Sequence, residues 1–227
     1  MKPWLVSVIL PTHDRERYLV SALDSALGQE YRPIEVIVVD DGSTDGTARV
    51  VQGYAEVRYR YQQNQGAAAA RNAGVAMSGG EILAFLDSDD LWMPEKLRLQ
   101  VRFLAENPAV GYCLTRMRTF VEPGTAGDPG RVDLSPPSVG AVPSTLVVRR
   151  EVFDRVGAFD VAYRVGEDID WFFRAKDAGV PFAVLPEVLV RRRLHDANLG
   201  RQERQAPSPV TNIAKASLDR RRARRLP

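Results

Sequence analysis

Asp87-Ser88-Asp89-Asp90 sets three carboxylates within four residues, directly after the apolar run Ile82-Leu83-Ala84-Phe85-Leu86. Such neighbours repel one another unless a cation or solvent compensates. A hard divalent ion with oxygen ligands fits the cluster, and a diphosphate could complete its shell. Metal-assisted departure of a phosphate is the matching chemistry. An acid-rich turn that caps the next helix is the plainer alternative. Asp40-Asp41-Gly42-Ser43 repeats the arrangement after the apolar run Val36-Ile37-Val38-Val39. A carboxylate there can accept from a base N–H or a ribose hydroxyl; it can equally close an Asx turn.

A further cluster is Gly166-Glu167-Asp168-Ile169-Asp170-Trp171-Phe172-Phe173-Arg174. Glu167 and Asp168 stand at a helix start, where negative charge is favoured. Asp170 and Arg174 are one turn apart and can pair. Asp168 is then a candidate general base, able to take the proton of an attacking hydroxyl as a bond forms. Simple capping by acids is the alternative. Arg71 follows four alanines. It could reach a nucleotide or diphosphate, or pair with a structural acid. His195 follows the triplet Arg191-Arg192-Arg193 and could complete a metal site or stand as a cation near phosphate.

These groups need elements to carry them. Residues 5–10 form a β-branched apolar run ended by Pro11, which reads as a buried strand. Leu19, Ala22, Leu23, Ala26 and Leu27 recur at helical spacing, with Asp14 as the N-cap and Gly28 as the stop. Residues 36–39 predict a second strand, 44–54 a helix, 57–61 a third strand and 66–76 a helix. Residues 82–86 predict a fourth strand, and Pro94 opens a helix to about residue 106. This alternation predicts an α/β fold with a mostly parallel sheet and helices on both faces. Right-handed crossovers then gather the polar tips Pro11-Thr12-His13-Asp14, Asp40 to Ser43 and Asp87 to Asp90 at one sheet edge, where ligands bind.

The second half is less regular. Residues 110–120 read as one strand and 122–139, with four prolines and three glycines, as a mobile loop. Residues 140–148 are apolar again, 167–178 form a helix, and 182–190 supply one or two short strands around Pro186. From residue 202 on, the chain reads as a tail with at most one helix.

The 227 residues carry a formal charge of +2, which hides an asymmetry. The first 199 residues hold 23 basic and 27 acidic side chains; the remainder holds eight and two. The run Arg220-Arg221-Arg222-Ala223-Arg224-Arg225 reads as a solvated terminus, although it could also meet an anionic membrane surface. One cysteine, Cys113, excludes a disulfide framework and a cysteine-rich zinc site. No apolar run approaches the ~20 residues of a spanning helix, so a cytoplasmic location is expected, with the inner face of a membrane as a peripheral option. The G-x-G-x-x-G fingerprint is absent after the first strand, and no Gly-rich loop ends in Gly-Lys-Ser/Thr, which argues against dinucleotide enzymes and P-loop ATPases.

Taken in order, the pieces resemble the inverting nucleotide-sugar glycosyltransferases of family 2, with the GT-A fold. They are Val8-Ile9-Leu10-Pro11-Thr12, Val38-Val39-Asp40-Asp41-Gly42-Ser43 with Asp45, Asn64-Gln65-Gly66 with Ala70-Arg71-Asn72, Phe85 to Asp90, Gly157-Ala158-Phe159-Asp160, Gly166-Glu167-Asp168 and the late His195. The resemblance implies a single domain over residues 1–199, with a nucleotide-binding half to 107 and an acceptor-binding half from 108, and a basic tail over 200–227. It implies a donor site made of Pro11, Thr12, Asp14, Asp41, Arg71, Asp87, Ser88 and Asp89. Asp41 would lie near the base, and Mn²⁺ or Mg²⁺ would be held by Asp89 with His195. Asp168 would be the catalytic base, with Glu167 holding the acceptor or supporting Asp168. Trp171 departs from the leucine often found at its position, and the Gln-x-x-Arg-Trp element of processive synthases is missing, which argues against polymer extrusion.

The implied reaction moves a sugar from a nucleoside-diphosphate sugar, a uridine or thymidine carrier being the first expectation, to an acceptor hydroxyl. The acceptor is open: a saccharide, a lipid-linked sugar, a peptide or a small natural product. No nucleic-acid partner is expected. Two rivals stand beside this reading. A nucleotidyltransferase making sugar nucleotides would want a Gly-rich phosphate loop where Pro11-Thr12-His13 stands. A non-catalytic nucleotide- or nucleic-acid-binding protein would have no use for the carboxylates.

Overall fold

The computed structural model describes residues 3–121, 136–196, 198 and 210–223. Most of the loop expected at 122–139 lies outside them, as do Arg224 and Arg225.

The apolar runs become the centre of a mixed sheet. β1 (Val6–Thr12) lies between β2 (Ile34–Asp41) and β4 (Ile82–Phe85), parallel to both, and β3 (Val57–Gln62) extends β2 in parallel. All seven residues of β1 are buried, as a strand covered on both faces requires. Beyond β4 come β8 (Val147–Arg149), β6 (Tyr112–Val121), β9 (Phe182–Leu194) and β5 (Leu91–Trp92), with β7 (Ser138–Val139) paired to β6. β6 and β9 are parallel, while the pairs β4–β8, β6–β8, β5–β9 and β6–β7 are antiparallel.

Alternation along β1 feeds two cores. Val6, Val8 and Leu10 pack under α1 (Glu16–Leu27), α2 (Thr47–Gln52) and α4 (Lys96–Glu106). On the opposite face Ile9, Leu83 and Phe85 pack under α3 (Ala67–Met77), α5 (Arg150–Val156) and α6 (Glu167–Asp177). Leu19, Ala22, Leu23 and Ala26 are the buried stripe of α1 that their spacing predicts, and Gly28 ends the helix. α3 lies close to the sheet because it is built from small residues: a Cβ on Gly74 would stand 2.5 Å from Cγ2 of Ile9.

Three features differ from the sequence expectation. Asp14 does not cap α1; it takes a left-handed backbone (φ 49°), and its Oδ1 accepts from the amide of Thr44 at 2.7 Å. The first amides of α1 are met across the sheet instead: Arg15 N donates to Thr47 Oγ1 and Glu16 N to Asp45 Oδ2, while Glu16 Oε2 accepts from Gly46 N. Orphan donors at the α1 start are thus satisfied by the next βα loop. Second, one continuous strand runs over residues 182–194, where one or two short strands over 182–190 were expected. Pro186 and Glu187 have no partner in the ladder, because Thr115 faces Leu185 and Arg116 faces Val188. The bulge removes the proline from hydrogen bonding, so the strand continues through it. Third, residues 140–148 split into a 3₁₀ turn at Pro143–Thr145 and β8, followed by α5, which the sequence did not signal.

The C-terminal segment contributes α7 (Val210–Ala223), which packs on α6. Ile213 is fully buried, and the Asp177 carboxylate accepts from Ser217 Oγ, Arg220 Nε and Arg221 Nε at 2.8–2.9 Å. Two arginines of the basic run are therefore paired with an acid of α6 rather than free in solvent.

Candidate active site

A cleft of about 690 Å³ opens at the carboxyl ends of β1, β2 and β4 and is closed on the far side by the segment entering α6. Pro11, Thr12, Asp41, Arg71, Asp87, Ser88, Asp89, Glu167 and Asp168 all line it. Residues separated by up to 157 positions meet here because parallel strands with right-handed crossovers bring their ends to one edge. Asp14 and His195 do not line the cleft: Asp14 is spent on the Thr44 loop, and His195 lies behind Asp89.

The two acids that end β2 divide their tasks. Asp40 is buried; its Oδ1 accepts from Ser43 N at 2.8 Å, closing the Asx turn, and its Oδ2 accepts from the Tyr59 hydroxyl at 2.8 Å. Asp41 holds the 62–66 loop, with Oδ1 accepting from Gln62 Nε2 and Gln65 N and Oδ2 from Gly66 N, at 2.7–2.9 Å. Gly42 has φ +83°, and a Cβ there would stand 2.9 Å from Asn64 N, so this turn needs glycine.

The turn after β4 is anchored from below. Ser144 Oγ donates to Asp90 Oδ2 at 2.7 Å and accepts from Asp87 N, while Trp92 Nε1 donates to Ser144 O. Burial, together with the neighbouring Asp89 and Asp87 charges, pushes the Asp90 carboxyl well above the usual range. Asp90 is a structural acid of this turn. Asp87 and Asp89 keep partial exposure toward the cleft.

Asp89 Oδ2 meets His195 Nε2 at 2.9 Å, Asn198 Nδ2 at 3.1 Å and Arg15 Nε at 3.8 Å. Burial pulls the carboxyl up, but His195 and Arg15 outweigh it and hold Asp89 below its ordinary value. Among the described residues no group of three or more His, Cys, Asp or Glu is gathered as a metal cage. Asp89 and His195 together fit a shared cation, for which the remaining oxygens would come from a ligand's phosphates and water. The His195 Nδ1 is buried without a partner, which leaves the ring's tautomer to be set from the Asp89 side.

Arg71 is buried despite lining the cleft. Nη2 donates to Asp87 Oδ1 at 2.6 Å and Nη1 pairs with Glu167 Oε1. Burial disfavours its charge, but Asp87 and Glu167 more than reverse this and hold the guanidinium protonated. The guanidinium is thus paired with two acids that themselves line the cleft. Asp168 stands beside it, partly buried at the first turn of α6, with Oδ1 accepting from Ile169 N at 2.8 Å. Burial and the Glu167 charge raise Asp168 to about 6, against the opposing pull of Arg71. A carboxylate so tuned can hold or release a proton near neutral pH.

Sequence reasoning did not single out Asn198, Arg15, Ser144 or the 161–165 segment, all of which shape this cleft. Asn198, three residues after His195, had a local signal: an Asx side chain can bond backward, and it accepts from His195 N at 2.7 Å. Arg15 and Ser144 had none, because the Asp89 that Arg15 faces lies 74 residues away and the Asp90 that the Ser144 hydroxyl meets lies 54 away.

Residues 7–160 match the family described as Glycosyl transferase family 2. The chain belongs to that family. It is 34% identical over 208 residues to an uncharacterized glycosyltransferase of Rickettsia typhi, covering 85% of this chain and 65% of that relative. Over 129 residues it is 37% identical to a putative teichuronic acid biosynthesis glycosyltransferase, TuaG, of Bacillus subtilis, covering 55% of this chain and 51% of the relative. Among solved structures it superposes on Staphylococcus aureus TarS 1-349 in complex with UDP at a TM-score of 0.70 and 25% identity, covering 84% of this chain and 61% of that one. The mixed sheet flanked by helices is that of GT-A transferases.

Proposed function

We propose that the protein is a metal-dependent, inverting glycosyltransferase acting on a nucleoside-diphosphate sugar. The observation that carries this reading is the position of Asp168, raised to about 6, in one cleft with Asp87 and Asp89. Asp168 takes the proton of an acceptor hydroxyl while the oxygen attacks the anomeric carbon and the bond to the diphosphate breaks. One displacement without a covalent intermediate inverts the anomeric configuration. Asp89 and His195 would hold Mn²⁺ or Mg²⁺, which when bound neutralises charge on the leaving diphosphate. A relative of this fold, TarS, is described in complex with UDP and with UDP-GlcNAc, and a mannosyltransferase from Pyrobaculum calidifontis with GDP-Man and Mn²⁺. A uridine or thymidine carrier is the first donor to test. Pro11, Thr12 and Asp41 form the wall for the nucleoside.

The test is a panel of UDP-, TDP- and GDP-sugars with Mn²⁺, read by nucleotide-dependent thermal shift and by release of nucleoside diphosphate. At least one donor should raise the melting temperature and be turned over slowly by water. If none binds in the presence of metal, the reading fails. Release of pyrophosphate from a nucleoside triphosphate would instead identify a nucleotidyltransferase.

A further inference from the structure

We propose that Arg71 is a positioning residue: its buried guanidinium ties Asp87, at the end of β4, to Glu167, at the start of α6, and so fixes the donor wall against the helix that carries Asp168. The proposal rests on the donor and base roles argued above. The sequence lets Arg71 be a rim group that reaches for the nucleotide. Its geometry is that of a strut. The contacts span 16 and 96 residues of chain, and each terminal nitrogen meets a different carboxylate. The Phe159 ring backs the guanidinium, its centroid 5.7 Å from Cζ. A forked, planar cation can hold two separated carboxylates at once; a lysine ammonium cannot reproduce that fork.

Local sequence explains how the strut gets there. The four alanines before Arg71 and the glycine at 74 let α3 lie against β1 and β2. Arg71 therefore lies buried in the cleft wall rather than exposed at its mouth. Three carboxylates converge on this one cation: Asp87 from the β4 end, with Glu167 and Asp168 from α6. Arg71, Asp87 and Glu167 are in turn the charges that face Asp168. Loss of the guanidinium leaves Asp168 among like charges alone, which raises its proton affinity. Nε of Arg71 is buried without a partner, so nucleotide affinity is the measurement that separates a strut from a ligand contact.

Two variants test this. Arg71→Lys keeps the charge but loses the fork. Its kcat should fall at least tenfold while its Kd for UDP with Mn²⁺ stays within twofold. Arg71→Met removes the charge. The Asp168 carboxyl, followed by ¹³C NMR without substrate and assigned with Asp168→Asn, should titrate at least one pH unit higher than in the wild type. The acid limb of kcat/KM should move with it. A tenfold loss of UDP affinity in Arg71→Lys overturns the proposal, as does an unmoved Asp168 titration in Arg71→Met. If Arg71→Met fails to fold, the kcat and Kd of Arg71→Lys still decide. The NMR titration needs neither donor nor acceptor. A wild type that transfers no sugar removes the proposed function and leaves this arm readable.

Discussion

The imidazole Nε2 of His195 lies 2.9 Å from Oδ2 of Asp89, across 106 residues of chain. β9 delivers the histidine and the turn after β4 delivers the acid. Asn198 bonds to the same carboxylate oxygen, so the pair is held from two directions.

If Asp89 and His195 share a cation, removing either should change the metal requirement before it changes the fold. We expect His195→Ala to raise the Mn²⁺ concentration for half-maximal activity by about 10- to 100-fold. Asp89→Ala should abolish turnover at any metal concentration tested. The check is a metal titration of initial rates after chelation. Full activity in excess chelator would sink the metal assignment.

The raised Asp168 predicts the shape of the pH profile. If Asp168 is the base, it acts only when ionised, so kcat/KM should fall about tenfold per unit below pH about 6 and level off above it. Asp168→Asn should lose transfer entirely yet keep UDP affinity within a few fold, read by calorimetry. Retained turnover in that variant would reassign the base.

Lys96 is fully buried in α4, with Nζ 4.0 Å from the Trp92 ring centroid and no hydrogen-bond partner. Burial lowers it from the ordinary 10.5 to about 7. The unfolded chain then binds more protons than the native one between pH about 7 and 10.5, so this residue makes stability rise with pH across that window. Below pH about 7 the native state carries the full cost of the buried charge. Lys96→Met should therefore stabilise the protein at pH 6 by on the order of a few kcal/mol and flatten the slope above 7. Urea denaturation at pH 6, 8 and 10 measures both.

Asp177 anchors α7 through Ser217, Arg220 and Arg221. Asp177→Ala should cost about 1–3 kcal/mol, since three donors lose their acceptor. Hydrogen exchange should quicken in α7 and at the end of α6 while β1 and β2 stay protected. Uniform quickening would mean that α7 is not a separable unit.

The cleft was legible because its walls come from local signals. β1, β2 and β4 are apolar runs that end abruptly in Pro11, Asp40 and the 87–90 acids, and parallel topology does the rest. Features fixed by distant partners were not legible. The amides that Asp14 was expected to cap are met by Asp45 and Thr47 from another loop. β5 has two residues and exists only because β9 pairs with it. Arg71 shows the limit most clearly. Its type and position suit a ligand or a strut equally, and only the approach of Glu167, 96 residues on, separates the two.

The bulge at Pro186 has a reach far beyond its own turn. Between Leu185 and Val190, β9 spends three more residues than β6 does over the facing stretch from Thr115 to Met117. An odd surplus inverts which side of the sheet each later residue faces. Within the arginine triplet, the place of Arg193, whose side chain donates to Asp89 O and Ser21 Oγ, would pass to Leu194. His195 would shift as well: one residue lost at 186–189 would swing it away from Asp89 and displace Arg192 and Asn198 at the cleft wall. Chain length in this short stretch is therefore a sharper gauge of an intact Asp89–His195 pair than the identity of any residue within it.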